Sequence, residues 1–314
     1  MHLIVTHAFD TDAACLEVLQ TLQLPHLKQL LTRLASEAPS GTGARTFNTT
    51  SEHALAQAIN IPADDGHQPW AALQARQHTA LATLGGSWAF ISLCHWQMLS
   101  DQIVMRHCPI DDLTPAQSDS LLAAMQPYFQ EDGINLYPDL AGRWLACGAM
   151  LEGLRCASPE RALGRDIGPW MPTGNSAATL RRLQNEMQML LYTHPVNDER
   201  QSQGQPTINS FWIHGCASLP ADYAAPMSTA PQVDTQLQSA ALSGDWAAWG
   251  QAWQMLDATT MKALCQAIDL GQEVTLTLCG ERHTQRWHAQ KQMAWQRWLA
   301  NLRGQSVAQT LSQL

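Results

Sequence analysis

Three arginines in the middle of the sequence, Arg143, Arg165 and Arg200, could recognise an anion. A guanidinium group binds a phosphate or a carboxylate through two parallel hydrogen bonds, which makes arginine well suited to such ligands. The alternative is that each arginine forms a salt bridge with one of the chain's many carboxylates. The three residues therefore predict either an anion-binding cleft or a set of structural ion pairs.

A second candidate group follows the first predicted strand. Leu3–Val5 is a short apolar run that favours a buried strand. His7, Asp10 and Asp12 come next, and their side chains could hold a metal ion at the end of that strand. The two aspartates are equally suited to the first turn of a helix, where a negative charge is stabilised. Both interpretations stay open on the residues alone.

The elements that must position these residues alternate between strands and helices. Apolar and β-branched runs predict strands near 3–5, 88–91, 103–104, 134–136, 144–146, 210–213 and 274–278. Apolar residues at helical spacing predict helices over 16–22, 27–34, 51–59, 115–125 and 177–191. Ser51 is the expected cap of the third helix, while Thr114 and Gln117 form a capping box for the fourth. The residues at 39–43 and 220–232 are typical of loops.

The segment from His194 to Gly215 carries the most specific pattern in the chain. It has the sequence HPVNDER at 194–200, then Gly204 and Pro206, then NSFWIHG at 209–215. This arrangement resembles the signature of the archaeal-type cofactor-independent phosphoglycerate mutases, members of the alkaline phosphatase superfamily. Two departures are visible, since the proline falls one place early and His214 replaces a tryptophan.

Further segments resemble the same family in the same order, from about residue 20 to residue 216. They include LPHLKQL at 24–30 and SEHA at 51–54, and Arg143 and Arg165 fall near two of the family's motifs. The run LQNEMQMLLYTHP at 183–195 is also similar to a bacterial group called regulatory protein RpfE. The resemblance implies an alkaline-phosphatase-like three-layer α/β core built from residues 1–85 and 171–314. An inserted α+β domain is expected at 86–170.

The resemblance also implies a chemistry, which needs two divalent metals held by Asp and His at strand ends. A Ser or Thr carries the phosphoryl group, because a metal makes its hydroxyl a usable nucleophile. Ser51 falls at the nucleophile position by this resemblance, although serine before a helix is more often an N-cap.

The metal ligands of the family are only partly matched in this sequence. His7 and Asp10 follow the first strand where the family has Asp-Gly, and Glu281 and His283 follow a late strand where it has Asp-His. Arg282 lies between the latter two and opposes a pair of cations. We therefore expect no metal cofactor, and these four residues are the candidate ligands if a divalent metal does bind.

Asn197 and Asn209 belong to the matched signature and join the three arginines as candidate ligand-binding residues. Short amides of this kind also fasten loop backbone through local hydrogen bonds.

Composition narrows the classes of partner. The 314 residues are 45% hydrophobic and only 14% charged, against about 25% charged in an average globular protein, which predicts a folded chain rather than a disordered one. The net charge is −9 and only three residues are lysines, so a nucleic-acid surface is not expected.

Eight dispersed cysteines without a Cys-x-x-Cys pair favour reduced thiols. No secretory signal and no apolar run of membrane-spanning length is found, which predicts a cytoplasmic protein that does not contact a membrane.

These observations predict a degenerate mutase relative that binds an anionic metabolite or has a regulatory role, without the two-metal site. One alternative is an active metal-dependent phosphomutase or phosphatase with substituted ligands. Another is a scaffold whose partner is a protein.

Twelve tryptophans are present in the sequence. Trp246, Trp249 and Trp253 recur at helical spacing and predict a buried stripe that serves packing.

Overall fold

The computed structural model describes residues 1–62, 64–107, 112–220, 222–224, 230–289 and 306–314. The strands in these ranges are β1 (His2–Val5), β2 (Ala35–Ser36), β3 (Ser40–Gly41), β4 (Trp88–Met98), β5 (Ile103–His107), β6 (Asn135–Leu140), β7 (Arg143–Cys147), β8 (Ser210–Ala217), β9 (Gln232–Asp234), β10 (Thr275–Cys279) and β11 (His283–His288). The helices are α1 (Ala13–Thr21), α2 (Pro25–Arg33), α3 (Thr50–Ala58), α4 (Trp70–Ala75), α5 (Pro115–Glu131), α6 (Pro159–Ala162), α7 (Ala177–Tyr192), α8 (Pro195–Ser202), α9 (Gln238–Ser243), α10 (Trp246–Leu256), α11 (Lys262–Asp269) and α12 (Val307–Leu311).

The chain forms two compact units. The first comprises residues 1–44, 49–61 and 224–314, and the second comprises 45–48 and 62–223. These bounds differ from the insertion expected at 86–170. The physical reason is strand pairing and helix packing: β8 pairs with β4, and α7 packs on β8, so both belong to the second unit.

The first unit is a three-layer α/β structure, which confirms the predicted α/β class. Its sheet has the order β2-β11-β10-β1-β9, with β1 parallel to β9 and β10 and with β3 also paired to β11. Leu3 and Leu276 face one helical layer, formed by α1, α2, α10 and α11. Ile4 and Cys279 face the other side, where α3 packs through Ala54. Burial on both faces explains why β1 is a continuous apolar run.

The tryptophan stripe on α10 is part of the first unit's core, as the sequence predicted. Trp249 and Trp253 are fully buried and meet edge to face, with ring centroids 6.2 Å apart. Their indole N–H groups donate to the backbone oxygens of His7 and Ala8, at 2.9 and 3.3 Å. The stripe therefore holds the loop that follows β1 as well as filling the core.

The helix that begins with α10 widens before it continues as α11. Residues Asp257–Met261 form a π-helical turn between the two. Asp257 lies in this turn and is buried, although it is a carboxylate. Turns of this type displace a side chain from the regular helical positions.

The second unit is an α+β structure around an antiparallel sheet. Strand β4 lies between β7 and β8, and its far end pairs with β5, while β6 continues the sheet beyond β7. Ile91 and Leu93 of β4 pack among residues of α5 and α7 on one face. Trp88 and Phe90 point to the other face and pack with the alanines of α4. Ser92, Arg143 and His214 share this second face and form a polar network.

Local signals in the sequence predicted some of these helix and strand boundaries correctly and others wrongly. Thr114 and Gln117 close the predicted capping box at the start of α5. Helix α3, by contrast, is capped by Thr49 with Glu52 as its capping-box partner, so the expected cap at Ser51 is wrong by two residues. The predicted loop at 39–43 contains β3, which is held by its pairing with β11.

Some expectations concern residues outside the described ranges. Residues 221 and 225–229 of the expected 220–232 loop are among them, as is Cys108. The described cysteines are free thiols. No helix in the described ranges combines the length and the apolar character needed to cross a membrane.

Candidate functional site

The carboxyl ends of β1, β9 and β10 meet at one edge of the first unit's sheet. The Thr6 amide donates to the Asp234 oxygen at 3.0 Å, and the Ala8 amide donates to the Cys279 oxygen at 2.8 Å. The hydroxyl of Thr50, in the first turn of α3, donates to the Gly280 oxygen at 2.5 Å. Ligands of open α/β sheets bind at this kind of edge. The edge is therefore the first place to test the predicted catalytic and metal-binding residues.

Ser51 lies at this edge, in the first turn of α3. Its Oγ is 2.9 Å from the Oγ1 of Thr49. A serine nucleophile needs a base or a metal to make its hydroxyl reactive, and the partner observed here is another hydroxyl. Among the described residues, the hydrogen-bond partner of the Ser51 hydroxyl is thus another hydroxyl and not a base.

The predicted metal ligands are engaged with the protein rather than converging on a common point. Asp10 accepts a hydrogen bond from the Asp12 amide at 2.9 Å, and Glu281 accepts one from the Thr11 hydroxyl at 2.7 Å. His7 follows β1 with a left-handed backbone, φ 53°.

His283 opens β11 as an exposed residue and lies against Gly41 of β3, its partner in the strand register. Within the described ranges no three His, Cys, Asp or Glu side chains are placed to hold a metal ion. The His, Cys, Asp and Glu side chains of the described residues thus do not fit a two-metal centre.

A polar network lies on one face of the second unit's sheet. Ser92 of β4 and His214 of β8 are joined by a 2.9 Å contact between Oγ and Nε2. Arg143 of β7 is the strand partner of Ser92 and its guanidinium lies 4.5 Å from the centre of the Phe90 ring. The Phe90 and His214 rings are themselves in contact, with centroids 5.2 Å apart. Three neighbouring strands therefore place a cation, an imidazole and a hydroxyl together.

Asp139, across the hairpin turn from Arg143, fixes the orientation of the guanidinium. Its Oδ2 accepts from Nε at 2.8 Å and lies 2.6 Å from Nη2. The carboxylate side chain is 1% exposed, while that of Arg143 is 24% exposed. Gln74 of α4 donates to the other oxygen, Oδ1, at 2.8 Å, and the His78 ring is 3.4 Å from it. A buried carboxylate with this many donors is well satisfied and holds the arginine in one geometry.

The remaining edge of Arg143 is directed away from Asp139. Its Nη1 makes no hydrogen bond to any residue in the described part of the chain. A guanidinium that is fixed on one side and unoccupied on the other is prepared for an anion, because little rotamer entropy remains to be lost.

His214 contributes as a neutral group. Burial lowers its pKa from the ordinary value to about 3, and the nearby charge of Arg143 lowers it further in the same direction. A neutral imidazole beside Arg143 adds polar atoms without adding charge. It is also a weak base, so the Ser92–His214 pair lacks the basicity that a nucleophile–base dyad needs.

The two predicted asparagines hold the backbone between α7 and β8. Asn197 is buried, and its amide donates to the oxygens of Leu191 and Ile208 at 2.7 Å while its Oδ1 accepts from the Ile208 amide. Asn209 exchanges two hydrogen bonds with the backbone of Trp96 in β4. These contacts match the structural alternative, in which both residues fasten the backbone.

The other two predicted arginines differ from Arg143. Arg200 is fully buried, donates to the Pro206 oxygen at 2.8 Å and pairs with Asp112 at 3.2 Å. Arg165 is exposed in the turn after α6, where its amide donates to the Ala162 oxygen. Arg143 is thus the candidate that combines a fixed position with an accessible edge.

Several residues of these sites were not among the sequence-based candidates. Asp139, Gln74 and His78 complete the network around Arg143, and Asp234 ends β9 at the strand edge of the first unit. Asp139 had a usable signal, since an acidic and a basic residue four positions apart flank the turn at Gly142 and can pair across a hairpin. Gln74 and His78 carried no signal, because α4 is distant in sequence from β6.

Comparison with known proteins gives partial matches to phosphoglycerate mutases. A probable 2,3-bisphosphoglycerate-independent phosphoglycerate mutase of Geobacter sulfurreducens is 25% identical over 162 residues, which is 49% of this chain and 41% of that protein. A 2,3-bisphosphoglycerate-independent phosphoglycerate mutase of Methanosarcina mazei is 24% identical over 106 residues, covering 33% of this chain and 27% of that protein. The matched region spans less than half the length of these relatives. They support a relationship to the cofactor-independent phosphoglycerate mutases.

Two solved structures cover most of the chain. A cofactor-independent phosphoglycerate mutase of Thermoplasma acidophilum is 13% identical, with a TM-score of 0.37 and coverage of 93% of this chain and 91% of that one. A protein of Pyrococcus horikoshii is 11% identical, with a TM-score of 0.46 and coverage of 91% and 86%. No model of a protein family matches the chain.

Proposed function

We propose that this chain is a relative of the cofactor-independent phosphoglycerate mutases that binds a small phosphorylated or carboxylated metabolite and acts as a regulatory protein. We infer that it does so without two-metal phosphoryl transfer, and that it belongs with the RpfE-like bacterial proteins that the run at 183–195 resembles. The free thiols in the described ranges fit a reducing compartment such as the cytoplasm. The observation that carries the proposal is the guanidinium of Arg143, fixed by Asp139 and unoccupied at Nη1.

The electrostatics around Arg143 favour an anion. Asp139 is buried and contacts Nε and Nη2, so its charge lies behind the guanidinium, while the accessible edge keeps a positive field. His214 remains neutral at physiological pH and leaves this field unopposed. Phosphate and carboxylate are the groups whose geometry matches a guanidinium edge.

The strand edge of the first unit supports the loss of phosphoryl transfer. Two-metal catalysis needs carboxylates and imidazoles arranged around two cations about 4 Å apart. Here Asp10 accepts a hydrogen bond from the Asp12 amide and Glu281 accepts one from the Thr11 hydroxyl. His283, in β11, is paired with Gly41 of β3. The residues that a phosphatase would use for metal binding thus serve local structure.

The proposal is tested by ligand-induced stabilisation. The unfolding temperature of the whole chain is measured with 3-phosphoglycerate, inorganic phosphate and citrate. A ligand that binds only the native state increases the free energy of unfolding by RT ln(1 + [L]/Kd), and the unfolding temperature rises with it. We expect stabilisation by at least one of these anions, lost in Arg143→Gln and partly kept in Arg143→Lys.

Arg106→Gln is the matched control, because Arg106 is an exposed arginine of the same sheet that contacts Gln97. Equal loss in both variants, or no response to any of the three anions, would contradict the proposal and leave the protein-scaffold alternative. The enzymatic alternative predicts phosphate-ester turnover with Mn²⁺, Zn²⁺ or Mg²⁺ that Ser51→Ala abolishes. Observing such turnover would show that transfer chemistry is retained.

A further inference from the structure

The two faces of the first unit's sheet differ in character. Leu3, Leu276 and Leu278 point to the apolar helical layer, while His2, Thr277 and Arg286 point to the side of α3. Helix α3 is only nine residues long and contacts this side through small side chains. Part of a polar sheet face is therefore left beside α3, and it forms a cavity of about 110 Å³. The lining residues are His2, Glu37, Ala38, Ser40, Ala54, Gln57, Ala58, Thr277, Thr284 and Arg286.

Arg286 supplies the positive charge of this cavity. Its Nε lies 3.8 Å from a carboxylate oxygen of Glu37, too far for a hydrogen bond. The Nη1 and Nη2 atoms have no hydrogen-bond partner among the described residues, and the side chain is 46% exposed. The outer edge of the guanidinium is thus available to a ligand, while Glu37 stays on the Nε side.

Hydroxyl groups and a neutral imidazole complete the lining. The Oγ atoms of Ser40 and Thr284 are 2.7 Å apart, and the Thr277 hydroxyl is 2.9 Å from Nε2 of His2. Burial lowers the pKa of His2 to about 4, and the charge of Arg286 acts in the same direction. Beside the Glu37 carboxylate, the cavity therefore offers one cationic edge and several neutral polar atoms.

Charge and size restrict the ligand. Glu37 lies in the same lining and repels a second negative charge, so a dianion such as phosphate is disfavoured. A carboxylate carries one charge and matches the two Nη atoms of a guanidinium. Ala54 and Ala58 form the α3 wall and leave room for a short apolar chain.

We propose that the cavity between α3 and β10–β11 binds a small monocarboxylate through the Nη edge of Arg286. This site belongs to the first unit and goes beyond the function proposed for Arg143. Helix α3, which lines the cavity, also carries Ser51 in its first turn.

The experiment titrates the whole chain with acetate and propionate, using saturation-transfer NMR for binding and thermal unfolding for stabilisation. We expect both carboxylates to bind in the millimolar range, and Arg286→Gln to weaken binding at least tenfold. Ala58→Met, which fills the cavity from α3, should weaken propionate more than acetate. Arg282→Gln is the control, because it removes the same charge from an exposed position outside the cavity lining.

Two variants distinguish failure of the Arg286 cavity proposal from failure of the function proposed for Arg143. The loss of propionate affinity caused by Ala58→Met should persist when Arg143 is replaced by Gln, because that wall belongs to the cavity beside α3. Arg286→Gln should leave any stabilisation by inorganic phosphate, which has no carboxylate, unchanged. Circular dichroism of each variant verifies folding. Absence of carboxylate binding, preference for phosphate over acetate, or equal weakening by Arg282→Gln would each overturn the proposal.

Discussion

The carboxylate of Asp257 accepts a hydrogen bond from the backbone amide of Leu27 at 2.7 Å. It also accepts from the amide of His26 at 3.2 Å and lies 3.0 Å from that residue's Nδ1. Helix α2 begins after Leu24, which has no side-chain oxygen to cap it. Asp257 thus provides the missing cap from the π-helical turn, 230 residues further along the chain.

Removal of this long-range cap should destabilise the first unit. Asp257→Ala leaves the buried amide of Leu27 and the partly buried amide of His26 without acceptors, and we expect a loss of about 2 kcal/mol in the free energy of unfolding. Asp257→Asn should lose less, because an amide oxygen remains. Urea unfolding measures both values, and Asp269→Ala serves as control since that carboxylate is 61% exposed. An equal effect of Asp257→Ala and the control would refute the capping role.

The start of α3 gives a prediction about two neighbouring hydroxyls. Thr49→Ala should lower stability by about 1 kcal/mol, because Thr49 accepts from the Glu52 amide in the capping box. Ser51→Ala should change stability by less than about 0.5 kcal/mol, in the range of ordinary surface substitutions. Chemical denaturation of the two variants compares them directly. A larger loss from Ser51→Ala would show that the cap has been assigned to the wrong residue.

Asn197 should be among the more sensitive polar positions of the second unit. Asn197→Ala leaves the oxygens of Leu191 and Ile208 and the amide of Ile208 without their partner, inside the protein. We expect a loss of about 2–4 kcal/mol. Asn185→Ala, at an exposed position of α7, is the comparison that should show little change. Comparable unfolding midpoints for these two variants would contradict the structural role.

The neutral state of His214 makes stability depend on pH. Its pKa in the folded chain is about 3, below the ordinary value of 6.5, so the unfolded chain binds the extra proton first as the pH falls. Stability from this group is complete above pH 6.5 and decreases as the pH falls from 6.5 toward 3.

In His214→Gln the loss of stability between pH 6.5 and 4 should be smaller than in the parent chain. Urea midpoints at pH 7, 6, 5 and 4 measure the difference, with His283→Gln as the exposed control. Parallel pH curves for His214→Gln and the parent chain would show that this imidazole is not held neutral.

The sequence predicted those elements whose signals are local. The capping box of α5 lies within four residues, β1 contains a continuous apolar run and β10 alternates between threonine and leucine, so each could be identified without knowing its neighbours. Strand β9 is three residues long and was missed, because it is stabilised by pairing with β1 rather than by its own composition. Helix α8 was missed for a different reason: the proline that ends the preceding helix also occupies the first position of a new one.

The candidate site was predicted only in part, because local sequence signals identify single residues but not their distant partners. Arg143 was identified from its own chemistry, whereas the partner that fixes it, Asp139, and the group beside it, His214, depend on the strand register. The boundary of the second unit also depends on long-range strand pairing, since β8 pairs with β4 across more than a hundred residues of sequence.

The parallel pairing of β1 with β10 has a consequence for synthesis. Residues 2–5 find their partners at 275–278, so β1 must remain unpaired with β10 until most of the chain has left the ribosome. At about 5–20 residues per second this wait lasts roughly 15–50 s. Residues 62–223 are complete well before β10 is made. The second unit can therefore fold first, while the apolar strand β1 lacks its β10 partner until the end of synthesis.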